Sequence, residues 1–261
     1  MNELNIDKYI ERIGFSGDIE ISEKCFKELH KCHVMSIPFE ALDVELNRPI
    51  ELALDKIYYK IVVNNRGGYC YELNWLFQEL LSKIGFDSYL ISASIFDSEK
   101  YGPEYDHMAT IVKLEDYWLA DVGYGDLFIE PIQIKSGIQQ ADEFKMYEII
   151  EPRSNEYVLT ESLVNRMDFR VKYKFKNVPK NAKEFKGQNE WKQSAKESYF
   201  VMNRICTMPT KNGRKTIFNN TYKVKTEGQI EEVSIVGETR LREILENNFS
   251  IVLENKAYCK E

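Results

Sequence analysis

Histidine is scarce in this chain, and its cysteines come without pattern. Only His30, His33 and His107, and Cys25, Cys32, Cys70, Cys206 and Cys259, occur in 261 residues. An odd set of cysteines with no CxxC pair fits reduced thiols better than a disulfide framework. His30 and His33 are spaced as HxxH, but no carboxylate or cysteine pattern completes a metal site, so no metal is expected. Apolar runs are short as well, none approaching the roughly 18 residues of a membrane span. Met1 to Ile10 lacks the basic-then-apolar layout of a signal peptide, so the expected location is the cytoplasm. Without a secretory route the sequon Asn219-Asn220-Thr221 is read as chance, and Cys259, third from the end, makes no prenylation box. Positive charge is in deficit. The net charge of −7 argues against binding to nucleic acid or an anionic membrane. An anionic ligand must then be received by a local basic cluster, for which Lys211, Arg214 and Lys215 are the candidates.

Apolar residues, by contrast, are ample. They make up 43% of the chain, enough to offset the entropy of ordering a globular core. No internal repeat or low-complexity tract appears; the organisation lies in how periodicity changes. Residues 1–86 read as helical. Ser22 is placed to cap a helix through Phe26, Leu29 and His33, and 52–62 reads as another short helix. From Cys70 the positions Leu73, Leu76, Phe77, Leu80, Leu81 and Ile84 recur at helical spacing until Gly85 stops them. From Ser88 the pattern turns to β-branched and aromatic runs at 89–95, 108–114, 117–122, 148–150 and 169–175. A Lys-rich polar stretch at 177–193 reads as a connection. Strand-like runs at 199–208 and 216–224 follow, around a turn at Lys211-Asn212-Gly213-Arg214, and then a helix near 241–247. The expected fold is α+β in three parts: a helical bundle (1–86), a β-barrel (87–192) and an α/β lid (193–261).

The chemistry concentrates at Cys70. Gly67-Gly68-Tyr69-Cys70 runs straight into an amphipathic helix, setting the sulfur at a helix N-terminus where unpaired N–H groups and the dipole favour negative charge. The glycines permit close approach of a substrate to backbone donors that can hold an oxyanion. A nucleophilic cysteine gains from an imidazole, and the imidazole from a carboxylate that orients it. His107, at a loop-to-strand boundary after the polar loop 97–106, is the candidate imidazole. Asp121, ending an aromatic strand before Gly123-Tyr124-Gly125, is the candidate carboxylate.

Hairpin geometry tests that pairing. A two-residue turn at Glu115-Asp116 sets Asp121 opposite Thr110, on the face away from His107. A three-residue loop over 114–116, or a bulge, instead sets Asp121 opposite Ala109 and makes His107 its diagonal neighbour on one face, about 7–8 Å away. The odd loop or bulge is therefore the expectation.

The run Arg66-Gly67-Gly68-Tyr69-Cys70-Tyr71-Glu72-Leu73-Asn74 resembles the active-site signature of the arylamine N-acetyltransferases. Ile37-Pro38-Phe39-Glu40 and Asp121-Val122-Gly123-Tyr124-Gly125 resemble two further motifs of that family, and the order Cys, His, Asp agrees. The motifs span about residues 26–130, with a looser likeness to the C-terminus. The resemblance implies Cys70 as nucleophile, His107 as base, Asp121 as orienting carboxylate, and acetyl-CoA as acetyl donor to an arylamine or hydrazine, by a ping-pong route through a Cys70 thioester. It implies substrate contacts at Phe39, Tyr69, Gly123 and Tyr124, with Phe200 a loose match to a ligand-touching aromatic. Two departures stand out: Tyr124 where the family usually has Phe, and Ala41 where Asn is common. Glu40 and Arg66 are expected to form a partly buried pair bracing the turn under Cys70. Other readings stay open. A papain- or transglutaminase-type hydrolase uses the same order and would hydrolyse amides without acetyl-CoA; an amide synthase would close a macrolactam. In a non-catalytic binding protein, Cys70 would react no faster than a free thiol.

Overall fold

The computed structural model describes residues 4–142, 144–164, 166, 168–226 and 229–253; Cys259 lies outside the described residues. The N-terminal part is helical because apolar side chains recur there at helical spacing. It runs α1 (Ile6–Ile13), α2 (Glu23–Ser36), a two-residue strand β1 (Phe39–Glu40), α3 (Leu42–Glu45), α4 (Leu54–Tyr58) with a π-type turn over Tyr59–Val63, and α5 (Cys70–Ile84). Ser22 caps α2 as its sequence position suggests, accepting the Cys25 N–H at 3.1 Å. Gly85 ends α5 in the left-handed region, φ 113°, the conformation glycine supplies at helix C-termini. The α5 face bearing Leu73, Leu76, Phe77, Leu80 and Leu81 is fully buried.

Eight antiparallel strands follow: β2 (Asp87–Ile95), β3 (His107–Lys113), β4 (Tyr117–Ala120), β5 (Ile132–Gln133), β6 (Gln139–Ala141), β7 (Lys145–Arg153), β8 (Glu156–Leu163) and β9 (Arg170–Lys176). They form one sheet in the order β5-β4-β3-β2-β9-β8-β7-β6. Its two edges meet through Gln133 and Gln140, whose amide and backbone groups exchange bonds of 2.7 and 2.9 Å, so the sheet curls into a nearly closed barrel. β8 has no counterpart in the sequence reading. Glu156 and Glu161 interrupt its apolar alternation, and its pairing with β7 and β9 supplies what propensity does not.

The stretch 177–193, read from sequence as a charged connection, is instead a 3₁₀ turn (Ala182–Phe185) leading into α6 (Lys186–Ser194). Two features override its polar composition: Phe185 is completely buried, and Asn181 and Glu184 cap the start reciprocally. The run 199–208 also divides. Tyr199–Met202 is a helical turn, α7, and only Ile205–Thr210, β10, is strand. Ser198 causes the break. Its buried hydroxyl bonds Lys192 O at 2.6 Å while its carbonyl accepts the N–H groups of Val201 and Met202. The run 216–224 likewise splits into β11 (Gly213–Phe218) and β12 (Thr221–Thr226) around Asn219-Asn220, the former at φ 51°. Those asparagines make a hairpin turn, a structural use of the sequon. β13 (Gln229–Ser234) and α8 (Gly237–Phe249) complete the described chain. The second sheet has the order β1-β10-β11-β12-β13, so β1, from the helical stretch, pairs with a C-terminal strand.

Candidate active site

Three elements converge on Cys70. The residue opens α5, whose N-terminus is fixed by Glu72: its carboxylate accepts the Tyr69 N–H at 3.1 Å. Gly67 and Gly68 bring β1 against this turn, with Glu40 N–H donating to Gly68 O at 2.9 Å. The approach leaves no room for a side chain, since a Cβ on Gly67 would fall 2.0 Å from Pro38 O.

His107 opens β3 and Asp121 lies one residue past β4. The register pairs Lys113 with Tyr117 and Thr110 with Ala120, leaving a three-residue loop over 114–116. Carried one step on, it sets Asp121 opposite Ala109, with His107 on the same face. The odd loop is therefore what forms. His107 Nε2 meets Asp121 Oδ2 at 2.7 Å, which leaves Nδ1 as the nitrogen to serve Cys70, a residue near enough to act on the ring's pKa. All three side chains are buried, Cys70 being 4% exposed and the others less. Burial draws the imidazole's pKa down, but the charge and hydrogen bond of Asp121, with those of Cys70, overcome it and raise it to about 10.

Asp121 is itself held on every side. Oδ2 also accepts the Tyr173 hydroxyl at 3.0 Å, and Oδ1 accepts from Asn74 Nδ2 at 2.9 Å and Gly123 N–H at 3.1 Å. Asn74 further donates to Met108 O at 2.6 Å and accepts the Val122 N–H at 3.0 Å, so one amide ties α5 to β3 and to the Asp121 segment. Burial, then Asp121, raises the Tyr173 pKa, so it remains a donor.

The sequence-selected aromatics gather around this line. Tyr124 stands edge-on to His107, centroids 5.5 Å apart, with the Lys172 ammonium 4.9 Å from its own ring centroid. Gly123 abuts Cys70: a Cβ there would lie 2.8 Å from the cysteine's Cα. Phe39 lies against Gly125 and packs on Phe200 at 6.2 Å, and Phe200 meets Tyr69 at 5.5 Å. Asn189 and Lys192, within the misread connection, also reach this wall. Asn189 accepts the Tyr69 hydroxyl, and Lys192 pairs with Asp106 at 2.8 Å above the Phe200 ring. Their signal was local, in the Asn181–Glu184 cap that marks a helix start.

Glu40 and Arg66 do pair, at 2.8 Å, and both are buried rather than partly exposed. The pair belongs to a larger cluster: Arg66 also reaches Asp43 at 3.0 Å, and Lys60 bridges Asp43 and Glu72, each at 2.8 Å. Burial raises the Glu72 pKa, while Lys60 and Arg66 hold Asp43 below its ordinary value despite burial. At Ala41, where an asparagine side chain is missing, the turn is held by Glu40 Oε2 accepting the Leu42 N–H at 2.8 Å. Lys211, Arg214 and Lys215 do not form one cluster. Strand alternation sends Arg214 to Gly125 O and Asp126, and Lys215 to the opposite face over Phe249.

A buried cysteine beside an imidazole that is held by a carboxylate, at a helix start lined by aromatics, is the arrangement of a thiol-dependent acyl-transfer protein. Comparison with known proteins narrows the class. A family model described as N-acetyltransferase matches residues 24–258. An arylamine N-acetyltransferase of Gallus gallus, pineal gland isozyme NAT-3, is 26% identical over 97% of this chain and 96% of its own length. A proansamycin X synthase of Amycolatopsis mediterranei is 29% identical over 71% of this chain and 73% of its own length. The solved arylamine N-acetyltransferase of Salmonella typhimurium shares the fold with TM-score 0.90 at 24% identity, covering 99% of this chain and 94% of that one. This chain belongs to the arylamine N-acetyltransferase family, a family of acyltransferases.

Proposed function

We propose that the protein moves an acetyl group from acetyl-CoA to an arylamine or arylhydrazine in two steps, with Cys70 carrying the acetyl as a thioester. The observation that supports this most is the 2.7 Å bond between His107 Nε2 and Asp121 Oδ2, with Cys70 close enough to the same ring to raise its pKa. In the first step the Cys70 sulfur, as thiolate beside the imidazolium, attacks the acetyl carbonyl. The free N–H groups at the start of α5 hold the resulting oxyanion, and the bond from the acetyl carbon to the CoA sulfur breaks. The departing CoA sulfur takes the proton from His107. Acylation also removes the cysteine's charge, one of the interactions keeping that proton on the ring, so His107 is left as a neutral base. In the second step the amine nitrogen attacks the thioester, gives its proton to His107 and releases the Cys70 thiolate.

In this reading Phe39, Tyr69, Gly123, Tyr124 and Phe200 form the walls that receive the acceptor ring. Glu40 and Arg66 act from beneath, holding the turn that presents Cys70. Rapid mixing with acetyl-CoA alone tests the route: one CoA per chain should appear in a burst, and steady-state plots against acceptor should run parallel. Intersecting plots without a burst would contradict it. The proansamycin X synthase match favours one second reading, in which the Cys70 acyl group comes from a larger substrate and is taken by an amine of the same molecule. Folded protein that forms no acetyl adduct from acetyl-CoA would favour that reading.

A further inference from the structure

Beyond its side-chain contacts, Asp121 is held through its backbone. Its N–H meets His30 Nε2 at 3.2 Å, and His30 Nδ1 lies 2.8 Å from the carbonyl oxygen of Ile129. These partners fix the tautomer: a carbonyl only accepts, so Nδ1 carries the proton, and a backbone N–H only donates, so Nε2 is bare. The ring is fully buried in α2, stacked on Phe128 and edge-on to Phe77, each with centroids 5.7 Å away. Burial draws its pKa down to about 4, against the Ile129 bond and the charges of Asp121 and Glu130, so it is neutral in ordinary buffers. The two backbone groups it joins bound segment 122–128, which carries Gly123, Tyr124 and Gly125. His33, one turn further along α2 and also buried, instead bonds the Tyr9 hydroxyl at 3.0 Å.

We propose that His30 is a positioning residue: its neutral ring staples both ends of the 121–129 segment to α2 and thereby sets the Asp121 carboxylate on His107 and Tyr124 beside it. No other side chain type supplies one donor and one acceptor at opposite corners of a rigid ring in its neutral form. The inference rests on the triad reading above, because it assigns His30 its effect through His107. His107 is faced by Asp121, Cys70, Tyr124 and Tyr173, so displacement of the one carboxylate among them is what its titration would register.

With only three histidines in the chain, ¹⁵N-histidine NMR reads the site directly. In the unaltered protein, His30 should show a bare Nε2 with nitrogen–nitrogen coupling across the hydrogen bond to the Asp121 amide; a protonated Nε2 overturns the proposal whatever any variant does. His30→Asn keeps an amide near Nδ1 for Ile129 but leaves the Asp121 N–H without a partner, whereas His30→Gln reaches the Nε2 position and can accept it. His30→Asn should lower the His107 pKa by about one unit and slow Cys70 acetylation about tenfold. His30→Gln should restore most of both, and His33→Phe should change stability alone. Equal shifts in all three folded variants, or none in any, would refute the positioning role. A wild-type His107 titrating near an ordinary histidine value would instead remove the triad reading, and this inference with it.

Discussion

Asp121 makes most of its contacts through side-chain oxygens, and this sets what its replacement does. In Asp121→Asn an amide can face His107 Nε2 with hydrogens instead of a lone pair, forcing the proton onto the nitrogen that serves Cys70. The expected loss in single-turnover acetylation is roughly 10³–10⁴-fold with little change in melting temperature. A loss under tenfold would show that orientation of the ring does not depend on the carboxylate. That Cys70, His107 and Asp121 come together was legible in the sequence because each sits beside a local marker: a glycine pair before a helix, a loop-to-strand boundary, a strand end before glycines. His30, Asn74 and Tyr173 were not, since their partners lie 91, 47 and 52 residues away from them and only the folded topology brings them together.

At the scale of elements, the start of α5 depends on buried charge and on absent side chains. Arg66→Ala leaves Glu40 and Asp43 buried with one cation fewer, a loss of about 3–5 kcal/mol. It should appear as a lower melting temperature and folded yield, with the acetylation rate of the folded fraction largely kept. Removing the exposed Arg240–Glu243 pair on α8 should cost no more than about 1 kcal/mol. Normal stability in Arg66→Ala would refute the bracing role. Gly123→Ala tests the opposite dependence: its Cβ would fall 2.6 Å from Asn74 Nδ2 and 2.8 Å from Cys70 Cα, so the segment or the nucleophile must move. Acetylation should fall at least tenfold by the sensitivity of such sites to displacement near 1 Å; an unaffected rate would show slack that the packing does not suggest. Elements whose own periodicity agrees with their final state, such as α2, α5, β3 and β4, were readable in advance. Those formed against composition were not: α6 is polar and anchored by Phe185, and β8 is charged and held by its neighbours.

For the whole molecule, buried histidine links stability to pH. His30 has a folded pKa of about 4 against an unfolded value near 6.5, and burial drives His33 down as well. Between those values these two rings bind more protons in the unfolded chain, so their contribution to stability falls as pH drops from about 6.5 towards 4, and the raised pKa of buried Glu72 offsets part of it. At about 1.4 kcal/mol for each tenfold change in proton affinity, the His30 share is roughly 3–4 kcal/mol. Denaturant midpoints measured across this range should decline, and His30→Gln should flatten the decline; a flat profile in the unaltered protein would show that these rings are hydrated or already charged. The three-part α+β plan was legible because periodicity changes along the chain. That β1 would leave the helical part to join β10 was not, because two residues carry no period.

The central claim is that one sulfur carries the acetyl group between donor and acceptor, and intact-mass and peptide mass spectrometry tests it most directly. Folded protein incubated with acetyl-CoA alone should gain a single acetyl group, located on the peptide containing Cys70 and lost on adding an arylamine. Folded protein that gains none, or carries it on another residue without releasing it to the amine, would contradict the account.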